Sequence, residues 1–206
     1  MNIKREKIVL KNVEYELLSW QNCYIDIAQF NHQSAIQFYD AINFFENKSC
    51  NKYIMDLRNN PGGDLNVVTS ILDYFVAWEE AIVTIKYKNF EENILANKNT
   101  KKIGDKNTIV LINEWSASAS EVFAGVIKDY VKNSILLGKQ SFGKWSVQSV
   151  IEYTDGSMLK YTIAKRLTGK SKTNIDWKWL KPDIEIDSNN SLKDEILEFA
   201  KNYKFK

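Results

Sequence analysis

Residues 107–130 read "NTIVLINEWSASASEVFAGVIKDY". A continuous apolar run, Ile109 to Ile112, meets a turn holding three serines at alternate positions, Ser116, Ser118 and Ser120. An apolar run of helical period follows. A short unbroken apolar run is the mark of a strand buried on both faces, and the change of period marks the switch to helix. The same order recurs upstream, where the strand "KYIMDLR" passes through "NNPGGD" into the helical "LNVVTSILDYFVAW". Downstream, "SILLG" supplies another strand. Strand, helix, strand, helix, strand is the pattern of βαβ units, so the centre of the chain predicts an α/β fold with a mainly parallel sheet.

Working outward, "KIVLKNVEYELLSW" and "NCYIDIAQF" alternate as strands, and "SAIQFYDAINFFENK" returns to helical spacing. Ile36, Phe38, Tyr39, Ile42 and Phe45 form its apolar face, with Ser34 or Asn31 as cap. "AIVTIKYKNFEENILANK" predicts a strand pair. "VQSVIEYTDGSMLKYTIAKRLT" predicts a hairpin around Asp155-Gly156. "PDIEID" is a last short strand. "SLKDEILEFAKNY" is a closing helix, with Ser191 as N-cap and Leu192, Ile196, Phe199 and Ala200 inward. The organisation expected is an N-terminal strand segment, residues 1–20, before a core domain, residues 21–206.

Composition narrows the function classes. The chain has 206 residues, 44% of them hydrophobic, and a net charge of +2 with interspersed lysines and acids. Nucleic-acid binding normally needs a basic face, so no nucleic-acid partner is expected. No run of 18 apolar residues is present, so no membrane segment is expected. The basic start "MNIKREKIVLKN" lacks the apolar core of a signal peptide. Two cysteines, Cys23 and Cys50, make neither a disulfide framework nor a four-ligand zinc site. In their apolar surroundings they read as buried free thiols. No metal or cofactor is called for.

Three serines exceed what a helix cap requires. Ser118 and Glu121 fit a capping box. The unbroken small residues from 116 to 120 instead suggest close approach by another group, and a serine at a helix start has neighbouring N–H groups ready to hold an oxyanion. Glycines do not flank it as in the G-x-S-x-G elbow. The single histidine, His32, sits in another strand-to-helix turn and reads as exposed or capping. Lys144, between Phe142-Gly143 and Trp145, has the apolar company that makes a lysine base when it desolvates the amine. "NNPGGD" offers backbone N–H groups, with Gly62 and Gly63 permitting close approach.

Four segments in order, "YIMDLRNNPGGD", "NEWSASASEVFAGVIKDY", "LLGKQSFGKWSVQ" and "LKPDIEID", resemble the C-terminal processing peptidases, or tail-specific proteases, over roughly residues 20 to 190. That resemblance implies a crotonase-like ββα core, its sheet flanked by helices and antiparallel strands, and a Ser/Lys serine endopeptidase cutting protein or peptide substrates near their C-termini. Residue by residue it implies Ser118 as nucleophile, Lys144 as base and Gln148 as the group orienting Lys144. The oxyanion donors are Ala119 and Gly62, with Gly63 as the alternative to Gly62. Asp129, Asp56 and Arg58 are implied to be structural. Relatives in the family usually act outside the cytoplasm.

The chain departs from that pattern in lacking a PDZ-like segment, in carrying Trp115 and Trp145 beside the site, and in one extra residue between Ser118 and Lys144. These departures motivate an alternative, a catalytically inactive module binding a peptide or apolar ligand on the same fold. An acyl transferase or hydratase of crotonase type is a further option that needs no Ser/Lys pair.

Overall fold

The computed structural model describes residues 11–98, 101–144, 146–172, 179–187 and 194–205. Ten strands and four helices are seen among them. The parallel centre consists of β2 (Asn22–Ile27), β3 (Lys52–Asp56), β6 (Asn107–Ile112), β7 (Ser134–Gly138) and the short β10 (Ile184–Glu185). β1 (Val13–Leu18) adds an antiparallel edge, giving the order β1-β2-β3-β6-β7-β10. A second, antiparallel sheet has the order β5-β4-β9-β8, from β4 (Ala81–Lys86), β5 (Glu91–Leu95), β8 (Ser146–Glu152) and β9 (Met158–Thr168). β8 and β9 are the expected hairpin, and β4 with β5 the expected pair.

The pleat sorts side chains between two cores. From β3, β6 and β7, Tyr53, Met55, Val110, Ile112 and Leu136 join one cluster with α1 (His32–Phe45), α2 (Leu65–Leu72) and α3 (Ala119–Tyr130). Ile54, Ile109, Leu111 and Leu137 point to the other face, against Ile196 and Ala200 of α4 (Glu195–Asn202). Burial on both faces is why these strands read as unbroken apolar runs.

Three expectations need correction in detail. In α1 Asn31, one of the two caps expected, exchanges hydrogen bonds with Ser34, but Ile36 and Tyr39 are exposed while Ala41 takes a core place. In α4 the cap is Asp194, accepting from the Leu197 N–H at 3.0 Å, and Phe199 is exposed. Ser191 and Leu192 lie outside the described residues. The cysteines are not free thiols: Cys23 and Cys50 are disulfide-bonded, with Cα atoms 5.7 Å apart. A parallel βαβ unit sets the starts of its two strands side by side, so Cys23 in β2 meets Cys50 on the approach to β3. Counting cysteines does not reveal that closeness.

Two cations, Lys52 at the start of β3 and Arg58 just past its end, clamp α4 at both ends. Lys52 Nζ donates to the carbonyls of Ala200, Lys201 and Tyr203 at 2.6–3.0 Å, satisfying the helix C-terminus. Arg58 bridges Asp56 and the capping Asp194. Asp26 faces Glu14 across β1 and Asp56 across β3. Burial first, then Asp56 and Glu14, push its carboxyl up to about 6, against the pull of Arg58.

Reduction, or the Cys23→Ala/Cys50→Ala double variant, is expected to lower unfolding free energy by roughly 2–4 kcal/mol; urea curves with and without reductant read it, and coincident curves would refute the bridge. For Asp26, a pKa raised by folding means that the protonated form is the stabilised one, so stability falls as pH rises through about 6. Asp26→Asn should therefore add about 1–2 kcal/mol above that pH, after discounting for partial exposure, and almost nothing near pH ~3.5. A difference between the two proteins that stays flat with pH would contradict this.

Candidate active site

Three loops leave the carboxyl ends of β3, β6 and β7 and meet beside the start of α3, the place where open α/β sheets form their sites. The glycine loop and the serine loop are joined through Asn60, which is fully buried. Its Nδ2 donates to Ile27 O at 2.6 Å and its Oδ1 accepts from Gly62 N–H at 2.8 Å. Its own carbonyl accepts from Ala117 N–H at 3.1 Å and from Ser120 Oγ at 2.9 Å. One residue out, Asn59 and Asn113 exchange hydrogen bonds of 2.9 Å each. Asn59 has φ +62°, a left-handed conformation that asparagine tolerates.

The outer serines are thereby explained without capping. Ser116 Oγ donates to Leu57 O at 2.8 Å and accepts from Asn113 N–H at 2.9 Å. Ser120 Oγ is the donor to Asn60. Both hydroxyls stitch the serine loop to β3 and its exit. The two glycines make room for this. A Cβ on Gly62 would stand 2.6 Å from Ala117 O and 2.8 Å from Ala119 N, and one on Gly63 would stand 1.9 Å from Phe30 O. Gly62 therefore packs its backbone directly on the turn that carries Ser118.

Ser118 is half-buried at the N-cap of α3, with φ +57° and ψ −111°. A non-glycine residue held there costs of order 1–3 kcal/mol and persists only where its surroundings over-determine it. Glu121 supplies much of that determination. It is 1% exposed, and its Oε2 accepts the Ser118 N–H at 2.8 Å. The capping box anticipated that bond. Unanticipated is the rest: Oε2 also accepts Lys144 N–H at 2.8 Å, while Oε1 accepts Ser141 Oγ and Gly143 N–H, each at 2.6 Å. One carboxylate thus fastens the "SFGK" loop to the helix that carries Ser118. Gly143, at φ +90°, is where this loop needs glycine, because a Cβ would press within 2.8 Å of the Trp179 ring.

The structure brings Ser118, Ala119 and Gly62 together, with Gly63 packed on Phe30, and fixes the backbone of Lys144 beside Ser118 through Glu121. It does not bring the lysine side chain to the serine. Lys144 is exposed, contrary to the desolvated position expected, and among the described residues no hydrogen bond joins it to Ser118. Gln148 is exposed on β8 opposite Thr162, and the register of β8 breaks between Val147 and Gln148. That break removes the simple even-spacing argument for Lys144 and Gln148 sharing a face. The partner of Ser118 Oγ is Arg166 of β9, whose Nη2 lies 3.2 Å away and also donates to Ser146 O at 2.9 Å.

Around the site, Trp115 is 61% exposed and Trp145 lies outside the described residues. His32 is exposed at the start of α1. Asp129 accepts from the N–H and Oγ of Ser171, tying the end of α3 to the end of β9. Among the described residues no cluster suited to a metal ion occurs, and no helix is long and apolar enough to cross a membrane.

Comparison with known proteins places this geometry in a family. The family description "Peptidase family S41" matches residues 21–186. A probable CtpA-like serine protease of Staphylococcus aureus (strain COL) is 37% identical over 205 residues, covering 99% of this chain and 41% of that protein. The carboxy-terminal processing protease CtpA of Bacillus subtilis (strain 168) is 33% identical over 204 residues, covering 99% and 43%. The chain thus spans about two-fifths of the length of these relatives. Among solved structures, the photosystem II D1 C-terminal processing protease superposes with a TM-score of 0.77 at 25% identity, over 89% of this chain and 50% of that one. The tricorn protease shares the fold alone, with a TM-score of 0.58 at 19% identity over 87% and 17%. The chain belongs to peptidase family S41, and C-terminal processing proteases are among its relatives.

Proposed function

We propose that this chain is the catalytic core of a serine endopeptidase, on a crotonase-like ββα core, that hydrolyses protein or peptide substrates near their C-termini with a Ser118/Lys144 dyad. The observation that carries the reading is the strained Ser118–Ala119 turn with the glycine loop packed against its backbone. Such a turn lifts one hydroxyl out of the helix and leaves N–H donors beside it, which is the arrangement acyl transfer needs.

In the proposed reaction Ser118 Oγ attacks the scissile carbonyl carbon and neutral Lys144 takes the hydroxyl proton. The carbonyl oxygen becomes an oxyanion held by backbone N–H groups, and the C–N bond breaks as Lys144 returns the proton to the amine. Water then hydrolyses the acyl-enzyme by the same steps. Ala119 N–H is one oxyanion donor. For the second we favour Gly63 over Gly62. The Gly62 N–H is committed to Asn60 Oδ1, and Gly62 is buried whereas Gly63 is exposed. The parallel bridge with Phe30 uses the Gly62 carbonyl and the Asp64 N–H, so the Gly63 N–H is turned away from it.

A lysine serves as base only where desolvation makes its neutral form accessible. Catalysis therefore requires the Lys144 side chain to move from water onto Ser118, pivoting on a backbone that Glu121 holds. Gln148 orients it there. A second reading, a catalytically inactive peptide- or apolar-ligand-binding module, is favoured by one fact: Arg166 rather than Lys144 touches Ser118 Oγ.

A serine-reactive fluorophosphonate separates the two readings. Covalent labelling at Ser118, lost in Ser118→Ala together with cleavage of an unstructured protein such as casein, supports the peptidase; an unlabelled Ser118 or undiminished cleavage by Ser118→Ala refutes it. Glu121→Gln turns an amide donor toward two of the four donors that the carboxylate now accepts. It is expected to cut turnover at least ~10-fold and stability by about 2–3 kcal/mol, read by casein cleavage and urea midpoint; wild-type values in both assays would remove Glu121 from its positioning role.

A further inference from the structure

Arg166 is a buried cation that the dyad does not use. It is 7% exposed in β9, where it pairs with Ile85 of β4. Among the described residues no carboxylate reaches ion-pair distance of its guanidinium. Glu121 acts on it through space but has both oxygens occupied by four other donors. Nε is buried with no acceptor. Nη2 meets only a serine hydroxyl and a carbonyl. Burial disfavours its charge, yet a guanidinium stays protonated in proteins.

A buried guanidinium that no carboxylate touches costs stability unless something repays it, and here its one orphaned donor, Nε, belongs to the same side chain that reaches the hydroxyl where chemistry is proposed. We infer that Arg166 is a specificity-determining residue that binds a carboxylate of the substrate next to the bond being cut. The group is either the substrate's own C-terminal carboxylate, with cleavage close to the end of the chain, or an acidic side chain flanking the scissile bond. A carboxylate accepts two parallel N–H bonds from a guanidinium, so it satisfies the orphaned donor and neutralises the charge together. In doing so it draws Nη2 from Ser118 Oγ and frees the hydroxyl for Lys144. This rests on the site proposed above.

Binding tests it apart from turnover. Fluorescent peptides are titrated into the Ser118→Ala protein by anisotropy in three forms: free C-terminus, C-terminal amide, and amide with an internal Glu at successive positions. The expected result is that one carboxylate-bearing form binds about 10- to 100-fold more tightly than the neutral amide, the gain of a charge-assisted pair. The form that gains identifies the source. Arg166→Gln on the same background should erase the gain and leave amide binding within ~2-fold, and Arg166→Lys should keep part of it. Equal affinity for all three forms overturns the inference, as does an Arg166→Gln loss shared by the neutral amide. If Ser118 proves unreactive while the carboxylate preference stands, the peptidase reading fails and Arg166 remains an anion-recognition residue.

Discussion

The buried amide of Asn60 is the constraint on which the site depends. It lies where three pieces of chain with no regular structure must pass one another: the exit of β2, the glycine loop after β3 and the serine loop after β6. Loops buried this deeply strand backbone donors and acceptors, each costly if unpaired. Asn60 answers with its side-chain amide and its main-chain carbonyl, which make four hydrogen bonds between them, and its N–H adds a fifth to Leu57 O. An aspartate could not donate to Ile27 O, and a longer glutamine would push the glycine loop off the serine turn.

Glu121 performs the corresponding task on the other side of Ser118. Asn60 and Glu121 together explain how a serine can be held at φ +57° without flanking glycines. The backbone is fixed from β3 by one residue and from the loop after β7 by the other. The strain is local and the restraint is distributed, which is the condition under which strained residues persist. The same arrangement leaves Lys144 fixed at its N–H and free at its side chain.

Much of this was legible. Unbroken apolar runs mark β3 and β6 because both faces are covered, and the change to helical period located α2 and α3. The capping box pointed to Glu121, though as a partner of one N–H and not of four donors. What was hidden depends on distance in space. Cys23 and Cys50 meet because parallel strands start side by side. Asn60 was hidden inside a run that reads as turn punctuation. Arg166 looks like one more basic residue on a solvated strand, since the first six residues of β9 are exposed and only its end turns inward. A compositional signal existed: the chain has three arginines among 28 basic residues, and two of them, Arg58 and Arg166, sit in partly or fully buried polar networks. Lysine's compact charge is more strongly hydrated, and Lys52 takes such a place only with three carbonyls around its ammonium.

The site is divided between the two sheets. Ser118, Ala119 and the glycine loop belong to the parallel sheet, whereas Lys144, Gln148 and Arg166 lie on or beside the β8–β9 hairpin. In the proposed mechanism two cations of one hairpin therefore compete for one hydroxyl. Two unit charges about 4 Å apart repel by roughly 4 kcal/mol at an effective dielectric near 20. A lysine approaching Ser118 while Arg166 is close must do so neutral, because like charge and desolvation both disfavour the ammonium and the guanidinium cannot give up its proton. In the proposed mechanism the two side chains therefore use the hydroxyl in turn: Arg166 holds Ser118 Oγ until a carboxylate draws it aside, and Lys144 follows.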